Sequence, residues 1–207
     1  MTEVKFSLSG QALEMPDEVA ALCKAFNTAM MDSNELLYLA AVLSAYPWPE
    51  GSILVEIGAY HGETTVFMAK VLEHAGRRSH ILSIDPFERA TPDSLNPQGS
   101  YSAYLSNVLD HGYGDQCLPL VAFSQNAAGV VPPLVGVLVV DGSHHYEVVN
   151  SDLRLYAPKV LPGGYLFIDD YGPAYPDVVQ ACDEYFVPTA PFELLHKDYF
   201  VIARRRN

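Results

Sequence analysis

The chain is short of positive charge. Its 207 residues hold 12 Lys and Arg against 25 Asp and Glu, a formal net charge of -13. That balance excludes a surface made to hold a nucleic-acid backbone or an anionic membrane, since either needs a basic stripe. The one basic run, Arg204-Arg205-Arg206, stands at the C-terminal end and reads as a solvated tail. Cysteine is sparse as well. Cys23, Cys117 and Cys182 have no metal-ligand or redox spacing, and an odd, scattered count leaves no disulfide framework and fits a reducing compartment. No apolar run approaches the roughly 18 residues of a membrane span. The opening Met1-Thr2-Glu3-Val4-Lys5 lacks the apolar core of a signal peptide. Internal repeats, low-complexity stretches and interdomain linkers are missing too. What remains is 49% hydrophobic and 18% charged residues, a composition that folds rather than stays disordered. The expectation is one soluble, cytoplasmic domain over residues 1–207, with a helical cover (1–50) on an α/β core (51–207).

Within the cover, Asp17 to Met31 reads as one helix. A second starts at the Ser33-Asn34-Glu35 cap signal and stops before Pro47. From Ser52 the pattern alternates. Strand-like runs fall at Ile53–Ile57, His80–Ile84, Cys117–Phe123, Val135–Val140 and Tyr165–Ile168. Helix-like runs fall at Glu63–Ala75, Tyr101–His111, Tyr146–Ala157 and Asp177–Phe186, with a short helix inside Gln125–Val131. Alternation of this kind predicts a doubly wound, mostly parallel sheet. Phe192–His196 and Tyr199–Ala203, joined at Lys197-Asp198, predict a terminal antiparallel hairpin and hence seven strands. Residues 86–100 read as a long loop after the second core strand, a lid over an acceptor site.

Chemistry gathers where strands end. Val137-Leu138-Val139-Val140 closes in Asp141-Gly142-Ser143-His144, and Tyr165-Leu166-Phe167-Ile168 closes in Asp169-Asp170. Such continuous apolar runs are strands buried on both faces, and open parallel sheets bind ligands beyond their carboxyl ends. If the two strands are neighbours, three carboxylates and a histidine converge. Carboxylates so close repel one another unless a cation neutralises them, and hard oxygen donors suit Mg2+ or Mn2+. His144, with an unperturbed pKa near 6.5, is placed to remove a proton. His145 reads as structural.

A second constellation precedes it. Glu56-Ile57-Gly58-Ala59-Tyr60-His61-Gly62 turns from a strand into a helix, where Gly58 and Gly62 permit a sharp turn and the helix start offers N–H groups to an anion. Thr64 adds a hydroxyl. The spacing is not the Gly-x-Gly-x-x-Gly dinucleotide fingerprint. Asp85 ends the next strand, where a carboxylate accepts from ribose hydroxyls. Taken alone, two glycines at such a turn are as consistent with turn geometry as with a ligand.

On these residues the chain resembles the class I S-adenosylmethionine-dependent methyltransferases. The pieces are Glu56-Ile57-Gly58 through Gly62 and Thr64, the acidic Asp85, and the segment Asp141 to Asp170 with Pro162-Gly163-Gly164 inside it. Within that superfamily it is similar to the metal-dependent macrocin and mycinamicin sugar O-methyltransferases and their cephalosporin-cluster relatives. The likeness covers about residues 35–205. It implies cofactor contacts from Glu56, Gly58, Tyr60, Gly62, Thr64, Asp85, Ser124 and Asp141, with Ser124 toward the adenine. It implies Mg2+ or Mn2+ on Asp141, Asp169 and Asp170, and His144 as base with Asp141 in the catalytic group. The expected reaction is O-methyl transfer to a small hydroxylated metabolite such as a sugar, polyketide or catechol. No nucleic-acid or membrane partner is expected, and a homo-oligomer is left open. The rivals are a metal-independent methyltransferase, a non-catalytic S-adenosylmethionine-binding protein and a nicotinamide-dependent reductase. The glycine spacing and the terminal hairpin count against the last of these.

Overall fold

The computed structural model describes residues 1–26, 28, 30–87 and 100–207. It opens with a two-stranded antiparallel hairpin, β1 (Thr2–Lys5) and β2 (Ala12–Met15). Helices α1 (Asp17–Ala25) and α2 (Ser33–Ala45) follow. The wound core runs β3 (Ile53–Ile57), α3 (Glu63–His74), β4 (Ile81–Asp85), α4 (Ser100–Asp110), β5 (Cys117–Val121), α5 (Ser124–Ala127), β6 (Val135–Val140) and α6 (Tyr146–Tyr156). A single 3-10 turn leads to β7 (Val160–Ile168), α7 (Pro176–Tyr185), β8 (Phe192–Lys197) and β9 (Val201–Arg205).

Seven strands form one sheet in the order β5-β4-β3-β6-β7-β9-β8. The first five are parallel, while β9 runs antiparallel to β7 and β8 antiparallel to β9. The doubly wound sheet with its terminal hairpin is therefore as the alternation predicts. One face packs Leu54, Val137, Val139 and Phe167 against α1–α4; the other packs Val55, Leu138, Leu166 and Ala203 against α5–α7. Both faces of the central strands are covered, which is why their sequences are apolar throughout instead of alternating.

Three expectations need correction. The cover is not wholly helical, because residues 2–15 make the β1–β2 hairpin. Its inward residues Val4, Phe6 and Met15 are buried, and Leu8 and Ser9 donate backbone N–H groups to the Leu195 carbonyl of β8 at 3.0 and 3.3 Å. Each strand spans four residues, too few for period-two alternation to stand out. Next, α1 ends at Ala25, six residues short of Met31, as Phe26 turns extended (ψ 132°). Finally, β7 begins at Val160. Pro162-Gly163-Gly164 lies inside it as a bulge that shifts the pairing with β6, where a break was expected before Tyr165. The expected lid over 86–100 falls chiefly on 88–99, outside the described residues. Among the described residues no helix is long and apolar enough to cross a membrane.

The hairpin β8–β9 buries one polar ring. His196 is 4% exposed and lies between the rings of Tyr38 (4.5 Å) and Phe200 (4.4 Å), and neither nitrogen has a hydrogen-bond partner among the described residues. Burial lowers its pKa from 6.5, with Asp198 opposing. A depressed histidine stays neutral in the fold while the unfolded chain takes the proton, so its stabilisation holds above pH 6.5 and is lost as pH falls toward the lowered folded value. His196→Leu should accordingly gain stability relative to the parent protein when urea unfolding is moved from pH 7.5 to pH 5.5. A constant difference between the two at both pH values would show that His196 is protonated without penalty.

Candidate active site at the carboxyl edge of the sheet

Register creates the site. Ile84, Ile57, Val140 and Ile168 stand side by side across four parallel strands, β4, β3, β6 and β7. The next residues along the chain are Asp85, Gly58, Asp141 and Asp169. Three of them donate their N–H to the strand beside them: Gly58 to Ile84 O (2.9 Å), Asp141 to Ile57 O (2.9 Å) and Asp169 to Val140 O (3.0 Å). The chain leaves β3 toward β4 on one side, while β6 lies on the other, so this edge is a topological switch point.

Gly58 is indispensable to that meeting. Its φ is +90°, and a Cβ there would stand 1.9 Å from the Asp141 carbonyl oxygen. Gly62 caps α3 at φ +78°, with a Cβ 2.8 Å from the Tyr104 ring. Between them Tyr60 takes a left-handed φ of 44° and stacks on His61 at 3.7 Å. Met30, the turn Gly58–His61, Thr64 and Asp141 line a cleft at the start of α3. Six of the eight expected cofactor residues meet at this edge: Gly58, Tyr60, Gly62, Thr64, Asp85 and Asp141.

Asp85 has a further task. Its Oδ2 accepts the backbone N–H groups of Ala59 and Tyr60, both at 2.9 Å, and Oδ1 accepts from Phe87. The carboxylate thus fixes the glycine turn. Glu56 is deeper than its place in the sequence suggests. It is 1% exposed, and Oε2 accepts from Thr65 Oγ1 (2.5 Å) and Ser83 Oγ (2.7 Å), while Oε1 is buried with no partner among the described residues. Burial pushes its carboxyl up to about 7, against the two hydroxyl donors. It supports the turn from beneath. Ser124 sits in the first turn of α5, buried, where its carbonyl accepts the Tyr156 hydroxyl (2.6 Å) and its side chain meets the buried Asp152.

At the β6 and β7 ends, Asp141, Asp169 and Asp170 each present an oxygen, all within 4.8 Å of one another. Asp169 is 4% exposed, and its Oδ1 is buried without a donor among the described residues. Burial first, and neighbouring carboxylates second, push Asp169 up to about 8 and Asp141 well above the usual range. Asp170 holds a left-handed φ of 59°, which turns its side chain back to this group at a cost of order 1–3 kcal/mol. A buried oxygen lacking a donor, in an all-oxygen group, fits a hard divalent cation. His144 Nε2 lies 2.7 Å from Asp170 Oδ2, and its ring stacks on Tyr175 at 4.2 Å. His145 is instead the exposed N-cap of α6, its carbonyl accepting from Val148 and Val149.

Three residues were not foreseen. Tyr175 faces the cluster, and Asp170, Asp169 and Asp141 raise its hydroxyl pKa. Burial raises the carboxyl pKa of Glu35, on α2, and the charges of Asp32 and Asp170 add to it. Met30 borders the cleft. None is adjacent in sequence to a strand end, so only docking of distant elements brings them here.

Residues 55–171 match a family described as a methyltransferase domain. The chain belongs to that family. The resemblance read from its motifs holds at the level of that family. It is 24% identical over 122 residues to an uncharacterized protein of Acanthamoeba polyphaga mimivirus, 56% of this chain and 50% of that one, so the match spans about half the viral protein. Among solved structures it is similar to the O-methyltransferase NovP (22% identity, TM-score 0.71, 93% of this chain and 89% of that one). It is also similar to an O-methyltransferase from Bacillus cereus in complex with SAH (12%, 0.64, 92% and 90%). An rRNA methylase from Streptococcus thermophilus shares the fold too (15%, 0.57, 82% and 93%). At these identities the likeness establishes the class I methyltransferase fold and leaves the acceptor to the site.

Glu56 yields a test of this electrostatic picture. Its folded pKa of about 7 lies above the ordinary 4.5. A raised acid stabilises the fold below its unfolded pKa, and that stabilisation is lost as pH rises through the folded one. Glu56→Gln keeps an acceptor for Thr65 and Ser83 but carries no charge. Relative to the parent, the variant should become more stable by up to roughly 3 kcal/mol as pH rises from 5 to 8.5, read by chemical denaturation. Parallel pH profiles would show that the carboxyl ionises freely where it lies.

Proposed function

We propose that this methyltransferase moves a methyl group from S-adenosylmethionine to a hydroxyl of a small metabolite, at a site holding Mg2+ or Mn2+. One observation carries the reading: Asp141, Asp169 and Asp170 meet within 4.8 Å beside the glycine turn, with a buried Asp169 oxygen lacking any donor among the described residues. S-adenosylmethionine supplies a methyl on a cationic sulfur, which an acceptor oxygen takes as the carbon–sulfur bond breaks. A divalent cation supplies Lewis acidity that lowers the pKa of a hydroxyl near it.

The remaining work belongs to the chain. The Gly58–Gly62 turn and the first N–H groups of α3 receive the donor's polar end, and Asp85 has acceptor capacity left for a ribose hydroxyl. Asp141, Asp169 and Asp170 hold the cation. His144 takes the acceptor proton, and Asp170 against its Nε2 stabilises the imidazolium that forms. The deficit of positive charge argues against an rRNA acceptor despite the shared fold. Residues of mixed polarity around the cleft suit a sugar, polyketide or catechol-like acceptor.

The His144–Asp170 pair also favours a second reading, in which histidine alone deprotonates the acceptor and no cation takes part. Chelation separates the two. Turnover should cease with EDTA and return with Mg2+ or Mn2+, and Asp169→Asn should be inactive while still folded and still binding S-adenosylmethionine by calorimetry. Full turnover in EDTA would establish the metal-free route.

The two neighbouring histidines form an internal control. His144→Ala should lower turnover by about 10²–10⁴-fold with cofactor affinity nearly unchanged. His145→Ala, at a cap whose bonds come from its backbone, should cost far less. Equally small losses would remove His144 as the base.

A further inference from the structure

Burial does not hold the ring of His144, since 34% of its side chain is exposed. The contact of Nε2 with Asp170 Oδ2 at 2.7 Å fixes one ring atom. A hydrogen bond at one atom sets where that atom lies and not the tilt of the ring's plane. Tyr175 meets the remaining need. Its ring lies against the face of the imidazole, with centroids 4.2 Å apart and planes 24° from parallel. Asp170 and Tyr175 are the two ends of one short turn between β7 and α7, and several bonds stiffen it. Asp170 opens the turn in left-handed backbone, φ 59°. Tyr171 donates its hydroxyl to Asp183 Oδ1 on α7 at 2.9 Å, and Lys197 Nζ of β8 pairs with the same oxygen at 2.7 Å. Tyr175 closes the turn as the N-cap of α7. Its N–H donates to Gly172 O (2.9 Å), and its carbonyl accepts from Val178 (3.1 Å) and Val179 (3.2 Å). Pro176 follows at the first helical position, where a fixed φ suits the helix. The histidine side is tied to the same helix. The N–H of Tyr146, two residues past His144, donates to Asp177 Oδ2 at 3.1 Å.

We propose that Tyr175 is the positioning residue of the base. Asp170 holds the imidazole at its edge and Tyr175 holds it by its face, so the ring keeps one orientation toward the acceptor. The assignment rests on His144 being the base, as proposed above, and extends that reading to the residue that sets the ring's plane. Two physical effects favour a ring at this place. Proton removal needs the accepting nitrogen in line with the acceptor O–H, and a tilted imidazole loses that alignment. The face of an aromatic ring is also its negative side, so the stack favours the imidazolium that exists once the proton has moved. Tyr175 acts through His144 in both. Because the turn and the start of α6 are both bonded to α7, the distance between the two rings is set by that helix and not by the flexibility of either loop.

The test compares Tyr175→Leu with Tyr175→Phe in the whole protein. The cap bonds of Tyr175 come from its backbone, so both variants keep them. Turnover is read as S-adenosylhomocysteine released with Mg2+ and three acceptors: catechol, methyl α-D-glucoside and a hydroxylated macrolactone. Tyr175→Leu should lower kcat about 10-fold or more, the scale of a misaligned catalytic group, with KM for S-adenosylmethionine nearly unchanged. Tyr175→Phe, which keeps the ring, should recover the parent's rate. In a His144→Ala background Tyr175→Leu should cost nothing further, because the two residues act as one unit. A merely structural role would lower turnover in both backgrounds. Side-chain NMR needs no acceptor. The carbon-bound ring protons of His144, assigned by their disappearance in His144→Ala, should lie upfield in the parent and in Tyr175→Phe, and should move downfield in Tyr175→Leu. Parental turnover in Tyr175→Leu, with His144→Ala inactive, would overturn the inference and spare the base. An added loss in the His144→Ala background would overturn it as well. A parental rate in His144→Ala would overturn both. If the parent methylates none of the three acceptors, the proposed reaction fails and the ring protons decide the stack alone: unmoved by Tyr175→Leu, they overturn it.

Discussion

Three carboxyl groups, Asp141, Asp169 and Asp170, share one end of the sheet, and a fourth, Glu56, is buried just below the same edge. No Lys or Arg is paired with any of them among the described residues. Negative charge held this closely and this deeply is unfavourable, because burial removes the water that would solvate it and each group repels the next. Two responses are open to the protein. It can keep protons on the group, which is the direction in which Glu56, Asp141 and Asp169 are pushed, or it can receive a cation. The rest of the edge is arranged so that the second response is useful: the histidine, the glycine turn and the cover's wall all adjoin the same charge.

That arrangement depends on the register of parallel strands. Three of the four strands end at one level and β4 runs one residue further, so Asp85, Gly58, Asp141 and Asp169 share one edge. Each of those residues is then fixed by backbone: Gly58, Asp141 and Asp169 donate to the strand beside them, and Asp85 accepts the amides of the glycine turn. Gly58 shows how tight the arrangement is. The turn passes so close to the end of β6 that no side chain fits between them. Precision at the site is therefore a property of the sheet, and the loops contribute side chains to positions already set.

Strain marks the same region. Among the described residues, four hold left-handed backbone without being glycine, Trp48, Tyr60, Phe87 and Asp170, and the last three lie just past strand ends at this edge. Such conformations persist where surrounding structure determines them, which suits residues whose side chains must turn back toward a ligand. The β1–β2 and β8–β9 hairpins lock together around Tyr38, His196 and Phe200.

The sequence by itself determined the layered core. Apolar runs closed by acid specify strands buried on both faces and the edge at which they end, and local motifs such as Gly58 to Gly62 specify the turn, because each depends on residues adjacent in the chain. The same locality made Asp85, Asp141, His144, Asp169 and Asp170 legible as candidates. It failed where strands are short, as in residues 2–15, and where a bulge interrupts a strand, as at Pro162 to Gly164. The place of Glu56 on β3 does not reveal that the fold turns it inward onto Thr65 and Ser83. Only tertiary structure decided which strands are neighbours, and therefore that Asp141 and Asp169 meet, that Asp170 pairs with His144, and that Met30 comes over from the cover. These contacts join residues from 26 to 111 positions apart, and no local pattern encodes them; docking of separate elements on a common core does.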